Sequence, residues 1–353
     1  MPRSQSFPLL FPQASFFVSG IFLLTLRDLP AVCLTPLPAP GLLSCSGMIE
    51  FGIGVDLGGT NLRAAAIDRV GNLLDQPISV DTNYHGGRDA VIGDIVNAVS
   101  RLQQQFASAR LAGVGIGVPG FIRLREGFIT NSNNLPYLEN FPVRDEIEKR
   151  LGTPIILEND ANAAALGETW QGAGREVDSL VLLTLGTGIG GGIILNNQVL
   201  HGAVGMAGEL GHLTIDPNGP PCGCGNNGCL EKIASATAVE SMAYLMSLGD
   251  NLTSRDVYNL AAAGEIKAQR IFEQMGRALG IALANLINTF NFPLYLLSGG
   301  MLPAWDYFAP AMMAEASRRS FTFRNADTRI AQAQLGNLAG LYGAAYLPLQ
   351  HLA

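Results

Sequence analysis

One cluster of side chains in this sequence has the composition of a metal site. Three cysteines fall within eight positions and a histidine precedes the first by ten; the residues are His212, Cys222, Cys224 and Cys229. One imidazole and three thiolates form the soft, four-coordinate ligand set of a structural zinc ion. The alternative is that the three cysteines are free thiols. The His-Glu-x-x-His motif of hydrolytic zinc enzymes does not occur in the sequence, which disfavours a catalytic metal. We therefore predict a zinc-stapled loop over residues 208–231.

Two glutamates bracket this cluster and could bind a hydroxylated ligand. Glu209 lies three residues before His212, so a single turn could point both side chains the same way, and Glu231 follows the last cysteine by two positions. Carboxylates accept paired hydrogen bonds from neighbouring sugar hydroxyls, and a zinc-bound histidine keeps one ring nitrogen for such a bond. Taken singly, each glutamate is more typical of a solvated surface. Together they favour a sugar site.

Two glycine-rich turns between apolar runs could cradle phosphate groups. Successive backbone N–H groups suit phosphate oxygens, and two such turns facing each other would hold a nucleotide, with Asp56 holding Mg²⁺ through water. Each turn alone would be an ordinary hairpin, but a Ser-Gly-Gly segment at 298–300 adds a third glycine site. The candidate residues are Asp56, Gly58, Gly59, Thr60 and Asn61 in the first turn, and Gly186, Thr187 and Gly188 in the second.

Neither glycine pattern indicates a nicotinamide dinucleotide site. The spacing G-x-G-x-x-G occurs from Gly186 and from Gly115, but such a fingerprint must open a helix. A strand-like run follows the first match, and Pro119 interrupts the second. A Walker A lysine pattern does not occur either.

Asp160 is the candidate catalytic group. It stands in the segment Glu-Asn-Asp-Ala-Asn, where a predicted strand meets a helix. A carboxylate there could accept the proton of a substrate hydroxyl that attacks a γ-phosphoryl group, while Asn159 binds a neighbouring hydroxyl. The alternative is that Asp160 caps the helix. The motif alone leaves the two roles open.

Strands and helices alternate along the chain, which indicates an α/β fold. The two glycine hairpins lie about 130 residues apart and share one design, so we predict two related halves rather than a solenoid. The predicted elements are hairpins at 50–68 and 179–195, helices at 90–106, 268–290 and 337–349, strands at 111–120 and 293–301, and a strand from 154 that leads into a helix beginning around Asn162.

Composition narrows the function classes. The chain has 353 residues, a length that suggests two domains. The net charge is −7 and only 14% of the residues are charged. Binding to duplex nucleic acid requires a basic surface, so we expect no nucleic acid partner. Five cysteines, three of them clustered, argue against a disulfide scaffold and favour a metal or redox role.

Residues 1–47 differ from the rest of the chain. They hold seven of the 19 prolines and three charged residues. The apolar run at 16–26 is too short to span a bilayer. We interpret residues 1–47 as an upstream extension that results from a misplaced start, with Met48 as the true first residue. A signal peptide or a lipid anchor at Cys45 is the alternative. We expect this segment to be disordered or absent, with no membrane association and a cytoplasmic location.

The motifs together resemble the ROK family of bacterial sugar kinases and sugar-responsive repressors, over nearly all of residues 48–353. The resemblance implies an actin-like, hexokinase-type ATPase fold (ribonuclease H-like): a small α/β domain at 48–163 plus 336–353, and a large one at 164–335, hinged about a cleft. It implies Asp160 as general base, ATP phosphates on both glycine turns, and a homodimer. Sugar would bind to Asn159, Asp160, Glu209, His212 and Glu231, and adenosine near Gly299 and Gly300.

Within this family, the segment around Asn134 is similar to a glucokinase loop in which an asparagine meets a sugar hydroxyl. We therefore expect ATP-dependent phosphorylation of glucose at the 6-hydroxyl, with N-acetylmannosamine, N-acetylglucosamine, fructose or allose as alternatives. A repressor of the family would carry a helix-turn-helix domain ahead of this body, and 47 proline-rich residues do not accommodate one. A zinc-stapled binding module without catalysis would leave the phosphate turns and Asp160 unexplained.

Overall fold

Most strands of the computed structural model are formed by short apolar runs with largely buried side chains. The structure describes residues 48–58, 61–132 and 135–350. Its strands are β1 (Glu50–Leu57), β2 (Asn61–Asp68), β3 (Ile78–Asp81), β4 (Arg110–Val118), β5 (Phe121–Arg123), β6 (Phe128–Asn131), β7 (Ile155–Asn159), β8 (Leu180–Leu185), β9 (Ile189–Leu195), β10 (Gln198–Val199), β11 (Leu294–Ser298) and β12 (Arg329–Gln332).

Several helices begin or end at identifiable caps. A capping box between Thr253 and Asp256 starts one helix, and Asn291 ends another in the left-handed conformation. The helices are α1 (Gly87–Gln105), α2 (Val143–Leu151), α3 (Asp160–Gln171), α4 (Glu231–Ala234), α5 (Ala236–Leu245), α6 (Ser254–Ala262), α7 (Ile266–Phe290), α8 (Trp305–Arg319) and α9 (Ala339–Gln350).

Two five-stranded sheets share one topology. The first has the order β3-β2-β1-β4-β7 and the second the order β10-β9-β8-β11-β12. In each, three strands form an antiparallel meander and two more add in parallel beyond its first strand. A separate hairpin, β5–β6, follows β4. The repeated order agrees with two related halves, each opened by a glycine hairpin.

Helices α3 and α9 pack between the sheets. A side chain at Gly54 of β1 would meet α9 at the carbonyl of Leu341, and one at Gly192 of β9 would meet Ala165 of α3. Glycine therefore lets each helix lie close to its sheet. One core lies between the first sheet, α1 and α2, and another between the second sheet and α4–α8.

The predicted elements are confirmed with small shifts of their bounds. Both hairpins and the long helix form; the helix expected to begin around Asn162 begins at Asp160, and α7 begins two residues before Ala268. The predicted domain boundary at 163/164 falls inside α3. Residues 1–47, for which an extension was predicted, lie outside the described residues. Among the helices described, none is both long and apolar enough to cross a membrane.

Candidate functional site

A cavity of about 210 Å³ lies where β7 ends, next to the second glycine hairpin. The carboxyl ends of parallel strands are the usual place for ligands in open α/β sheets. Glycines of β9 form part of the wall, and because they have no side chains the backbone of β9 faces the cavity. The side chains that line it include Phe121, Ser132, Asn159, Asp160 and Glu209.

Asp160 opens α3 but does not cap it. The side chain of Asn159 accepts hydrogen bonds from the backbone N–H groups of Ala161 (2.9 Å) and Asn162 (3.2 Å), so Asn159 is the N-cap. The interpretation of Asp160 as the cap is wrong. Its Oδ1 accepts one bond from the N–H of Ala161 (2.8 Å), and its carboxylate is exposed to the cavity. The cap thus presents Asp160 to a ligand.

The surroundings of Asp160 disfavour its charged form. Although the side chain reaches the open cavity, protein surrounds it on the other sides, and the loss of solvation raises the pKa of Asp160 to about 6. The negative charges of Asp56 and Glu209 add to the rise. Asp56 stands at the end of β1, where burial also raises its pKa and the cation of Arg63 opposes that rise. An aspartate with such a pKa can take up a proton near neutral pH.

Glu209 and Glu231 belong to the same group of charges. Burial raises the pKa of Glu209; His212 opposes the rise and Glu231 adds to it. Glu209 immediately precedes the short 3₁₀ turn Leu210–His212, and the N–H of His212 donates to the carbonyl of Glu209 (3.1 Å). The predicted single turn between the glutamate and the histidine is therefore present.

The four predicted metal ligands converge. The side-chain ligand atoms of His212, Cys222, Cys224 and Cys229 lie within 4.8 Å of one another. His212 Nδ1 is 3.6 Å from Cys222 Sγ, and the Sγ atoms of Cys224 and Cys229 are also 3.6 Å apart. Zinc–sulfur bonds of about 2.3 Å at tetrahedral angles place two sulfurs about 3.8 Å apart. These residues fit one tetrahedral metal ion.

The loop over residues 208–231, which we call the cysteine loop, is stabilised by hydrogen bonds between its own backbone groups. The N–H of Cys222 donates to Asn226 (2.8 Å), and the N–H of Ile215 to Gly228 (2.8 Å). Gly228 has a φ of 61°, and a side chain there would overlap the carbonyl oxygen of Asp216. Glycine is therefore required at this turn.

Glu231 connects the cysteine loop to the second glycine turn. Its Oε2 accepts a hydrogen bond from the N–H of Ile189 (3.0 Å), and a side chain at Gly188 would collide with the same carboxylate. The tip residue Thr187 is exposed, and its carbonyl accepts a bond from Thr237 (2.8 Å). A metal in the cysteine loop would thus stabilise the predicted phosphate turn as well.

The third glycine segment lies against the second turn. Gly299, with a φ of 102°, approaches Leu185 at the end of β8, and the N–H of Met301 donates to Leu185 (3.2 Å). A second cavity of about 230 Å³ borders Gly300 and includes Tyr258 of α6. Gly186 closes the β8–β9 turn by donating to Gly188 (3.0 Å).

The first glycine turn is described in part. The N–H of Gly58 donates to the carbonyl of Asn61 (2.9 Å), which closes the turn between β1 and β2. Gly59 and Thr60, predicted phosphate ligands, lie outside the described residues, as does Asn134, predicted to bind sugar.

Sequence reasoning missed three charged or titratable residues of this site. Arg63 faces Asp56 across the β1–β2 pair and donates to the carbonyl of Asn337, just before α9. Glu158 is buried at the end of β7 and pairs with His201 (2.6 Å). The spacing of Asp56 and Arg63 around a hairpin could have revealed the first pair. His201 is 43 residues from its partner, and nothing local in the sequence indicates their contact.

The paired sheets, glycine turns and acidic cavity define an actin-like ATPase fold with a Cys₃His cluster. The chain belongs to the ROK family, whose sequence pattern matches residues 52–351. It is 38% identical to a glucokinase of Halalkalibacterium halodurans in an alignment 316 residues long, which covers 84% of this chain and 94% of the relative. A xylose repressor of Bacillus subtilis is 31% identical over 88% of this chain and 80% of the repressor.

Solved structures of the family have the same fold. The ROK hexokinase of Thermus thermophilus is similar with a TM-score of 0.75 and 36% identity, over 85% of this chain and 99% of that one. A ROK glucokinase of Streptomyces griseus, solved with glucose and AMPPNP, has a TM-score of 0.70 and 32% identity, over 85% and 99%.

Proposed function

We propose that this protein transfers the γ-phosphoryl group of ATP to the 6-hydroxyl of a hexose, with Asp160 as general base. The observation that carries the proposal is the Asp160 carboxylate, which is exposed to the cavity and has a pKa of about 6. A base with a pKa near the working pH is both deprotonated and basic enough to accept a hydroxyl proton. The glucokinases and hexokinase similar to this chain support the same reaction.

The reaction follows from these groups. Asp160 accepts the proton as the hydroxyl oxygen forms a bond to the γ-phosphorus, and the bond from that phosphorus to the β-phosphate oxygen breaks. The products are a hexose 6-phosphate and ADP. Asn159, Glu209, His212 and Glu231 hold the other hydroxyl groups, and Asn134 adds a further contact. The side-chain oxygen of Asn159 accepts the hydrogen bonds that cap α3, so its Nδ2 group is the part that can bind sugar. In the structure this Nδ2 group donates to the carbonyl of Gly120 (3.3 Å).

The nucleotide would occupy the glycine turns. Gly58, Gly59, Thr60 and Asn61 in the first turn, and Gly186, Thr187 and Gly188 in the second, present backbone N–H and side-chain groups to its phosphates. Asp56 would hold Mg²⁺ through water, and that ion would offset the charge of the phosphates beside four carboxylates. Gly300 borders the second cavity and Gly299 precedes it in the chain, and this cavity would hold the adenosine.

Zinc is the metal proposed for the Cys₃His cluster, and its role is structural. Thiolate-rich, four-coordinate sites select zinc and leave it no position for substrate. His212 and the two glutamates at the ends of the loop would keep their places through that metal.

Glucose is the proposed substrate, and the glucokinase relatives support it. N-acetylmannosamine, N-acetylglucosamine, fructose and allose are the alternatives. A sugar-sensing regulator is the second candidate, because a xylose repressor is among the relatives. We also propose two domains, 48–163 with 336–353 and 164–335, that close on the sugar, as well as a homodimer and a cytoplasmic location.

A coupled ADP-release assay over these hexoses and xylose, at fixed Mg²⁺-ATP, tests the proposal. We expect sugar-dependent ADP release with the highest kcat/KM for glucose, and a product phosphorylated on its 6-oxygen by mass spectrometry and NMR. Sugar binding by calorimetry without ADP release from any sugar would contradict a kinase and favour the regulator.

A further inference from the structure

A buried carboxylate next to the cavity holds three donors from two parts of the fold. Glu158, 2% exposed, accepts hydrogen bonds from the N–H of Asn159 (2.9 Å), from Nδ2 of Asn162 (3.0 Å) and from Nε2 of His201 (2.6 Å). Two donors belong to the start of α3, and the third comes from the loop after β10. The predicted base, Asp160, lies between the two α3 donors in sequence.

His201 begins the loop that leads to Glu209. The loop closes on itself where the N–H of Ala207 donates to the carbonyl of His201 (3.1 Å). Its Gly205 packs against the carbonyl of Ile122 on the β5–β6 hairpin, where a side chain would come within 3.0 Å. The 201–208 loop therefore touches the β5–β6 hairpin, whose Phe121 lines the cavity. A shift of His201 would be transmitted to the segment that carries Glu209.

Charge explains why the pair holds. A buried carboxylate without a counter-charge is strongly destabilising. Hydrogen bonding to Glu158 and its negative charge raise the pKa of His201 against the opposing effect of burial. Glu158 is the charged group, among the described residues, that shifts this pKa. Asp56 and Glu209 act on Asp160 instead.

We propose that the His201–Glu158 ion pair is a positioning element of the phosphoryl transfer, which fixes the segment of Asp160 relative to that of Glu209. The inference rests on the proposed kinase activity. Neither residue touches substrate in this role. Protonated His201 anchors Glu158, and Glu158 in turn holds the backbone and side chain on either side of the base.

The pair should make the enzymatic activity decrease at alkaline pH, which gives the pH profile of kcat/KM an alkaline limb. The pKa of His201 is raised in the folded protein, so the ionic hydrogen bond is complete below that pKa and weakens as the pH rises through it. Neutral imidazole still donates a hydrogen bond, but a weaker one. We therefore expect kcat/KM for the hexose to decrease, without vanishing, above the pKa of His201.

Substitutions at His201 separate charge from hydrogen bonding. His201→Ala removes the donor and should lower kcat/KM for the hexose about 10- to 100-fold, with higher KM for sugar and unchanged KM for ATP. His201→Gln keeps an N–H donor without the charge. It should recover most of the loss and, above the acid side of the profile that Asp160 sets, keep at neutral pH the kcat/KM that wild type shows only at alkaline pH. His85→Gln, at an exposed position, is the matched control and should keep the wild-type profile.

Hydrogen exchange supplies a readout that does not depend on catalysis. In His201→Ala, peptides over 158–162 and 201–208 should both exchange faster, while thermal unfolding verifies the fold. If wild-type protein phosphorylates hexoses but His201→Ala matches His85→Gln in kinetics and exchange, the positioning role is overturned. A retained alkaline limb in His201→Gln would also overturn it. If wild-type protein transfers no phosphoryl group, the proposed function fails, and coupled exchange of both segments still decides whether the pair links them.

Discussion

The carboxylate of Asp160 differs from an ordinary surface aspartate in both position and pKa. Asp160→Asn keeps the shape of the side chain but cannot accept the hydroxyl proton. We expect kcat to fall by roughly 10² to 10⁴ while the sugar dissociation constant stays within a few-fold. Steady-state kinetics and calorimetry measure the two quantities. Asp327→Asn, an exposed aspartate far along the chain, serves as the control. A variant at position 160 with wild-type kcat would remove Asp160 from the mechanism.

The raised pKa of Asp160 also predicts how the free energy of unfolding depends on pH. Its pKa is about 6 in the folded protein against an ordinary 3.8, so between these values the folded protein binds more protons than the unfolded chain. The contribution of this group to the free energy of unfolding therefore decreases as pH rises from about 4 to 6. Asp160→Asn should unfold at a higher temperature than wild type at pH 7, with a smaller difference at pH 4. Equal unfolding temperatures of the two proteins at pH 7 would contradict the raised pKa.

At the scale of elements, the cysteine loop offers a matched pair of glycines. Gly228→Ala would place a side chain on the carbonyl of Asp216 at a φ of 61°, whereas Gly223→Ala would meet open space. Gly228→Ala should therefore lose bound zinc and, with it, sugar affinity, because the loop positions Glu209 and Glu231. Gly223→Ala should keep both.

Metal analysis and calorimetry with sugar measure the two effects. Cys224→Ser removes one ligand and should reproduce the loss of Gly228→Ala. Adding zinc to chelator-treated wild type should restore the affinity, but not in the serine variant. Full sugar affinity in metal-free protein would show that the loop holds its shape without zinc.

Local patterns predicted the elements, whereas pairs distant in sequence were not predictable. Both hairpins follow from apolar runs around glycine turns, and the metal ligands from their types and spacing. The start of α3 was misplaced because the sequence Asn-Asp does not show which residue caps the helix; the structure shows that Asn159 does. The Glu158–His201 pair joins the two sheets, and such a contact arises only when the whole chain folds.

For the molecule as a whole, α3 and α9 link the repeated halves. Small residues line their contact: a side chain at Gly167 would collide with the carbonyl of Ala339, and one at Gly343 with that of Ala163. The helices can therefore pack with their backbones in near contact. Any closure of one half on the other must preserve or slide this contact, and Asp160 lies at the start of the same α3.

Gly343→Ala tests how tightly this crossing is packed. The added methyl group must push α9 away from α3, and overpacking of this kind costs about 1–3 kcal/mol. Gly93→Ala, in α1 with nothing within 4 Å of the new methyl, should instead stabilise the protein by about 0.4–1 kcal/mol, since it restricts the unfolded chain. Urea unfolding of both variants gives the two free energies. If Gly343→Ala were as stable as Gly93→Ala, α3 and α9 would have room to move apart, and the crossing would not restrict how the two halves move.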